Sequence, residues 1–321
     1  MGKFYRGFSN VGVELVDYDK DIAKRNWYAL RTTWRELHDV EYDTDDPRCV
    51  KMIRDLVQGK VFGTFLSTGD LTIFVKNISR ICLAQFTRDT GFKFASESNM
   101  PNPLSHEITV PKYIYDNPEW LAKLEAIQAM VEDLYDDLTA NGVPFQDSRY
   151  VGIHGQQISI TGTFNLELLQ KFCRNRLNNN THDEINLLYR MVKRELRRAI
   201  ERDRKDGTLD DLSYYMWKTA EERADVGEAS SKKTSFYDPM FCNSFARFPS
   251  DPNHEEPAPM FDANKLSWKY ELIDLMRERP DLLLPGEIEM IQSWRVNEHL
   301  PDDYDDKKEF VIPLKKKPLR G

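Results

Sequence analysis

No part of this chain restricts its fold more tightly than residues 149–185, RYVGIHGQQISITGTFNLELLQKFCRNRLNNNTHDEI. After Arg149, Ile158 and Ile160 alternate with Ser159 and Thr161, the period-two pattern of a strand. Asn165 then opens a short amphipathic helix that closes at Arg176, and the asparagines at 178–180 form a turn. Thr181 and Glu184 make a T-x-x-E capping box at the head of the next helix. Arg149 and Arg176 therefore sit at the ends of packed elements rather than on an open surface. Their planar, always-charged guanidinium forks suit a phosphate or the carbonyl edge of a base.

Elements before this stretch can be read in the same way. Val11, Val13 and Leu15 alternate and predict a strand over 11–16, followed by the charged turn DYDKD. Trp27, Leu30, Trp34 and Leu37 recur at helical spacing over 22–37. A second helix covers 48–58, after the acidic break at 43–47. Residues 71–75, LTIFV, form a β-rich run, and 78–88 is apolar at helical spacing. The segment 90–103, TGFKFASESNMPNP, reads as a loop because Pro101 and Pro103 disfavour regular structure. Asn117-Pro118 caps a helix whose apolar stripe is Leu121, Leu124, Ile127, Val131, Leu134 and Leu138, and Asn141-Gly142 ends it.

Beyond the central stretch, the helix from about 182 to 202 buries Ile185, Leu188, Val192, Leu196 and Ala199. Its basic face, with Lys193, Arg194, Arg197, Arg198, Arg202 and Arg204, reads as solvated or paired with acidic groups. From residue 207 the composition changes: an aromatic patch at 214–217, the loop GEASSKKTS, a Pro/Asp/Glu-rich segment at 248–259, helices over 265–278 and 286–297, and a loose tail. The chain divides on this reading into residues 1–206 and an extension, 207–321, of helices and irregular loops. The predicted class is α+β, with helices packed on a mixed or antiparallel sheet.

Composition excludes several functions. A net charge of −8 argues against general nucleic-acid binding, which wants a basic surface, while leaving room for a local basic pocket. No apolar run approaches the roughly 20 residues of a membrane span. The N-terminus, MGKFYRGFSN, lacks the apolar core of a secretory signal. Cys49, Cys82, Cys173 and Cys242 are scattered without a C-x-x-C pair, and the histidines lack metal-like spacing. Buried thiols in a reducing, cytoplasmic compartment, with no metal site, are the reading that fits.

The central stretch resembles the flavin-dependent thymidylate synthases. Ser148-Arg149 stands for that family's Ala-Arg, Asn165 for its turn Asn, and Asn175-Arg176 through His182-Asp183-Glu184-Ile185 for its run L-R-x-x-x-x-A-Q-x-E-I, without a gap. Upstream, Ser79-Arg80, Gln85, Arg88 and Ser98 fall where the family has S-R, Q, and the first Arg and later Ser of R-H-R-x-x-S-x-N-x-x-S-x-R. VELVDYDKD resembles the opening strand and turn, so the likeness spreads over residues 11 to about 203. There are departures too. R-H-R reads Arg88-Asp89-Thr90, the motif's first Ser is Lys93 and its last Arg is Met100. The family's H-x-S-x-F-E-H run is replaced by residues 63–69, GTFLSTG.

The resemblance implies a nucleotide-binding catalytic domain over 1–206 that transfers a one-carbon unit from methylene-tetrahydrofolate to C5 of dUMP. FAD, and NADPH as reductant, would be the other cofactors. It implies that Gln85, Ser98 and Arg149 hold the phosphate and that Arg176 holds and polarises the pyrimidine. Arg88, Lys93, Asn165 and His182 fall to the flavin, and the assembly is a homotetramer with sites between subunits. Two alternatives keep the site and change the outcome: hydroxymethylation or methylation of dUMP or dCMP with altered flavin use, as in some viral nucleotide enzymes, or a catalytically inactive nucleotide-binding relative. Read alone, Arg149 is a surface arginine, Arg176 a helix C-cap and Ser98 uninformative. Their joint, gapless spacing makes them a site. His154 and His182 are further acid–base candidates.

Overall fold

The computed structural model describes residues 2–7, 9–57, 68–88, 91–97, 103–176 and 183–226, and toward the C-terminus 275, 279–283 and 288; for residues 113, 170, 173–176, 183 and 221–226 it describes the backbone alone. The chain forms two compact units, Met1–Tyr237 and Asp238–Gly321. In the second, a 3-10 turn at Pro280–Leu282 and buried Leu275, Leu282 and Leu283 are described.

The first unit is built on a four-stranded antiparallel sheet. Its strands are β2 (Gly12–Tyr18), β3 (Asp70–Ser79), β4 (Lys93–Ser96) and β6 (Gln157–Asn165), in the order β2-β3-β6-β4. A separate parallel pair joins β1 (Lys3–Arg6) to β5 (Glu107–Val110). Along β3, Leu71, Ile73 and Val75 are fully buried while Thr72 and Phe74 face the other way, the alternation of a sheet covered by helices on one face. Ile158, Ile160 and Phe164 of β6 continue that buried face.

Among the described residues the helices are α1 (Ile22–Thr33), α2 (Pro47–Val57), α3 (Arg80–Phe86), α4 (Lys112–Tyr115), α5 (Pro118–Ala140), α6 (Phe145–Ser148), α7 (Leu166–Arg176), α8 (Asp183–Lys205) and α9 (Asp211–Val226). α8 lies on β2 and also touches α3, α7 and α9; α9 packs on α1, α2, α7 and α8. Trp27, Leu30, Ile53, Leu56, Leu188, Val192, Met216 and Trp217 join the sheet residues in one core. α9 carries the aromatic patch of the sequence, and Trp217 in it is fully buried, donating its indole N–H to the Asp19 carbonyl at 2.8 Å.

Several expectations change in the fold. The helix expected over 22–37 stops at Thr33, since Trp34 is extended, and resumes as a 3-10 turn at Arg35–Leu37. The loop expected over 90–103 contains β4, which pairs Lys93 opposite Thr163 through Ser96 opposite Ile160. Every β4 side chain is exposed, so the strand has no hydrophobic period to read; the open edge of β6 recruits its backbone. On α5 the apolar stripe is not buried: Ile127 and Leu134 are 46% and 47% exposed, the other four are half-buried, and the buried side chains are Gln128 and Tyr135. Lys193, expected on the basic face of α8, is buried, because α8 is covered by the sheet on one side and helices on another. The rest of that face is paired where described: Arg194 and Arg198 with Glu195, and Arg202 with Asp203. Cys49 and Cys82 are buried and outside any disulfide, as expected.

Candidate functional site

The site is organised at the junction of β3 and α3. Near the end of β3 the register slips between Val75 and Ile78, and Asn77 adopts a positive φ of 64° that Asn tolerates better than most residues. Its side-chain amide donates to the Asn10 carbonyl at 2.9 Å, fixing the bulge. The bulge turns the strand so that Ser79 points inward and Arg80 begins a helix without an intervening loop. The Ser79 hydroxyl caps α3 by accepting from the Cys82 N–H at 3.1 Å.

Glu184 holds that cap from the far side. One carboxylate oxygen accepts from the Ser79 N–H at 2.6 Å and the other accepts from the Ser79 hydroxyl. In the sequence Glu184 reads as the second half of a capping box on its own helix. In the structure its side chain, in a residue 5% exposed, clamps the start of α3. Thr181 lies outside the described residues.

A second segment runs beside the start of α3. The Arg80 N–H donates to the Gln156 carbonyl at 3.1 Å and the Ile81 N–H to the His154 carbonyl at 3.4 Å. Arg149 stands just before it, in a 3-10 turn (Arg149–Val151) closed by Gly152 N–H to Arg149 carbonyl at 3.0 Å. The chain is tight at Gly152: a Cβ there would come 2.5 Å from the Gln156 side-chain oxygen, which would have to shift, and 3.1 Å from the Arg149 carbonyl. Gln156 thus folds under the Arg149 turn. It is 1% exposed, and among the described residues neither its side-chain oxygen nor its nitrogen has a hydrogen-bond partner.

Arg80 and Arg149 are near enough to act on each other. Burial, then the positive charge of Arg149, hold the half-buried Arg80 guanidinium below its usual range, with the carboxylate of Glu97 opposing. Glu97 is committed to β6: its N–H donates to the Ser159 carbonyl at 2.9 Å, and its carboxylate accepts from the Ser159 N–H at 3.3 Å.

The expected site residues are distributed as follows. Arg149 is exposed, contrary to the expectation that it lies off the open surface; its charge reaches Arg80, and the Gln156 side chain lies under its turn. Gln85 is half-buried and shares a face of α3 with exposed Ile81 and Arg88, at spacings of one helical turn. Lys93 is exposed on β4. Asn165 ends β6, and its side-chain oxygen caps α7 by accepting from the Leu168 N–H at 2.8 Å. Arg176 is the last residue of α7, with its backbone alone described. Ser98 and His182 lie outside the described residues. Arg80 and Gln156 carry no signal of a role in the sequence, since a glutamine in a strand-forming segment shows no sign of burial.

The donor set suits a flavin diphosphate. Among the described residues Arg88 and Lys93 are exposed cations with no carboxylate at ion-pair distance, and Asn165 keeps its side-chain N–H donors beside the α7 N-terminus.

Comparison with known proteins gives consistent matches. The family model described as thymidylate synthase complementing protein matches residues 14–200. A flavin-dependent thymidylate synthase of Thermococcus onnurineus (strain NA1) is 24% identical over 168 residues, 50% of this chain and 69% of that protein. The crystal structure of a UMP/dUMP methylase, PolB, from Streptomyces cacaoi bound with 5-Br dUMP superposes with a TM-score of 0.51 at 16% identity, covering 67% of this chain and 97% of that one. Thymidylate synthase X from Helicobacter pylori with FAD and dUMP gives a TM-score of 0.44 at 16% identity, covering 66% and 99%.

Proposed function

The chain belongs to the thymidylate synthase complementing protein family, and from that premise we propose that it is a methyltransferase acting on C5 of dUMP, with methylene-tetrahydrofolate as one-carbon donor. The observation that carries this reading is the extent of the family match: residues 14–200 enclose the whole sheet apart from the first residues of β2, and also Gln85, Arg149 and Arg176. The named activity of the Thermococcus relative supports it.

In this reading the protein binds, orients and polarises; no side chain attacks the ring. Arg149, with Gln85 and Ser98, fixes the 5′-phosphate, and Arg176 at the end of α7 stabilises negative charge as it develops on the pyrimidine edge. Arg88, Lys93, Asn165 and His182 would hold FAD, which supplies the reducing equivalents that make the transferred unit a methyl group. NADPH would be the source of those equivalents. The chain works as a homotetramer, and the open apolar face of α5 (Trp120, Ile127, Met130 and Leu134) supports a subunit contact there.

The test is incubation of the purified protein with dUMP or dCMP, methylene-tetrahydrofolate, FAD and NADPH, with products read by mass. The expected product is methylated dUMP, lost in Arg176→Ala with the assembly unchanged. Absence of any modified nucleotide, or an Arg176→Ala variant with undiminished turnover, overturns the assignment.

A further inference from the structure

Helices cover one face of the four-stranded sheet; the other face is open and carries its charges in an ordered way. Thr72 of β3 and Thr163 of β6 stand on it side by side, their hydroxyl oxygens 2.8 Å apart. The pairing register extends that row across the whole sheet: Asp17 of β2 lies opposite Thr72, Thr72 opposite Thr163, and Thr163 opposite Lys93 of β4. The next row on the same face is Glu14, Phe74, Thr161 and Ala95. Val16, the extra residue where the β2 register shifts, is 56% exposed beside them. The face thus has threonines and a half-buried Phe74 in its middle, two carboxylates along one edge and a lysine on the other.

Surface charges elsewhere in the chain find partners close by: Arg6 with Asp116, Arg48 with Asp46, Lys51 with Asp55, Lys123 with Glu119. Among the described residues Glu14, Asp17 and Lys93 have none at ion-pair distance, and all three are exposed. Asp17 and Lys93 cannot meet within one copy, because they are three strand spacings apart, about 14 Å at about 4.8 Å per strand. A second copy laid face to face changes that. Two sheets pack about 10 Å apart, a gap that an aspartate and an extended lysine bridge from opposite sides. A two-fold axis running along the strands, between β3 and β6, sets β2 of each copy over β4 of the other and keeps each row in line. Asp17 then faces Lys93 of the second copy, twice, and the threonines face one another. An axis across the strands sets β2 over β2 and β4 over β4, so that carboxylate edge meets carboxylate edge and lysine meets lysine. The charges select the first arrangement.

We propose that this open sheet face is a docking surface whose occupant is a second copy of this chain, with Asp17 and Lys93 paired across the seam about a two-fold axis parallel to the strands. The inference rests on the tetramer of the proposed function and supplies a contact which that tetramer needs. A two-fold contact on α5 joins two copies only, and four require a second self-complementary face. Val16, Phe74 and the threonines provide the contact area at the centre. The edge charges fix orientation more than affinity, since exposed ion pairs add little. Lys93 carries three N–H donors, so pairing with the second copy leaves donors for a flavin diphosphate and puts that contact at the seam.

The experiment is sedimentation velocity on the full chain and three variants. Asp17→Lys and Lys93→Asp each set like charges across the seam, at exposed positions outside the core, and each should halve the assembled mass. The double variant carrying both exchanges restores the pair with its signs reversed and should recover the full mass. That recovery separates a docking role from a fault in folding, since two folding faults do not cancel. A tetramer whose mass ignores both single exchanges overturns this face and leaves the tetramer reading intact. Single exchanges that dissociate the assembly without recovery in the double variant overturn the Asp17–Lys93 pairing. An unaltered protein that sediments as a dimer, split by each single exchange and restored by the double, keeps this face and overturns the tetramer. A dimer that ignores the exchanges, or a monomer, overturns both.

Discussion

Glu184 offers the sharpest test of how this site is held. Through it α8 grips the Ser79 cap, accepting from both the N–H and the hydroxyl of that residue, 105 positions away in sequence. Glu184→Ala would strand the buried Ser79 N–H, while the hydroxyl can rotate toward other acceptors. An unsatisfied buried donor costs about 1–3 kcal/mol, and hydrogen bonds to a charged group contribute about 1.5–3 kcal/mol, so the total loss should be about 3 kcal/mol. Glu184→Gln keeps an acceptor for the N–H and can donate to the hydroxyl oxygen; losing only the charge, it should cost about 1 kcal/mol. Urea denaturation followed by tryptophan fluorescence measures both. A cycle with Ser79→Ala should show coupling of about 1 kcal/mol, since the two residues share a hydrogen bond. Because α3 carries Arg80 and Gln85, Glu184→Ala should also weaken nucleotide binding more than Glu184→Gln does. A Glu184→Ala variant within about 0.5 kcal/mol of the unaltered protein, the range of an ordinary surface change, would refute the clamp.

Three further outcomes follow from the same structure. A Cβ on Gly162 would fall well inside 3.0 Å of the Phe92 ring, which is already packed against Phe86, Phe94, Phe164 and Phe172. Gly162→Ala should therefore cost about 1–3 kcal/mol by overpacking, and Phe92→Leu in the same chain should recover part of it in a denaturation experiment. Burial pushes the Asp203 carboxyl up, but hydrogen bonds from Arg202, Lys20 and Tyr18 outweigh it and bring its pKa from 3.8 to about 2. A depressed carboxylate contributes stability that is fully present above 3.8 and is lost as the pH falls toward about 2. The stability gap between the unaltered protein and Asp203→Asn should accordingly shrink across that window, and a gap that is constant there would exclude the linkage. Met130, 64% exposed on α5, should lie in a subunit contact; Met130→Glu should then lower the assembled mass in sedimentation, and no change in mass would place the contact elsewhere.

What the sequence determined by itself was local. The end of β6 at Asn165, the span of α7 from there to Arg176, the Asn117 cap of α5 and the buried face of α8 all depend on residues within a turn or two of each other, and all are found where the sequence puts them. The gapless motif from Arg149 to Ile185 likewise carries the family within the chain. Partnership across the chain was not legible. Glu184 has the spacing of a capping box, and what no local spacing shows is that its carboxylate also reaches Ser79, because α8 packs on α3 and a buried N–H there needs an acceptor. β4 has no hydrophobic period and exists because β6 has an edge to fill. The basic face of α8 loses Lys193 to the interior because two layers cover the helix. Arg149 suits an anion on its own, but that its charge acts on Arg80 follows from the bulge at Asn77 and the segment before β6 that runs beside the start of α3. Local propensity is written residue by residue, whereas electrostatic neighbours are set by the path of the backbone, and that path is decided only when the sheet closes over its core.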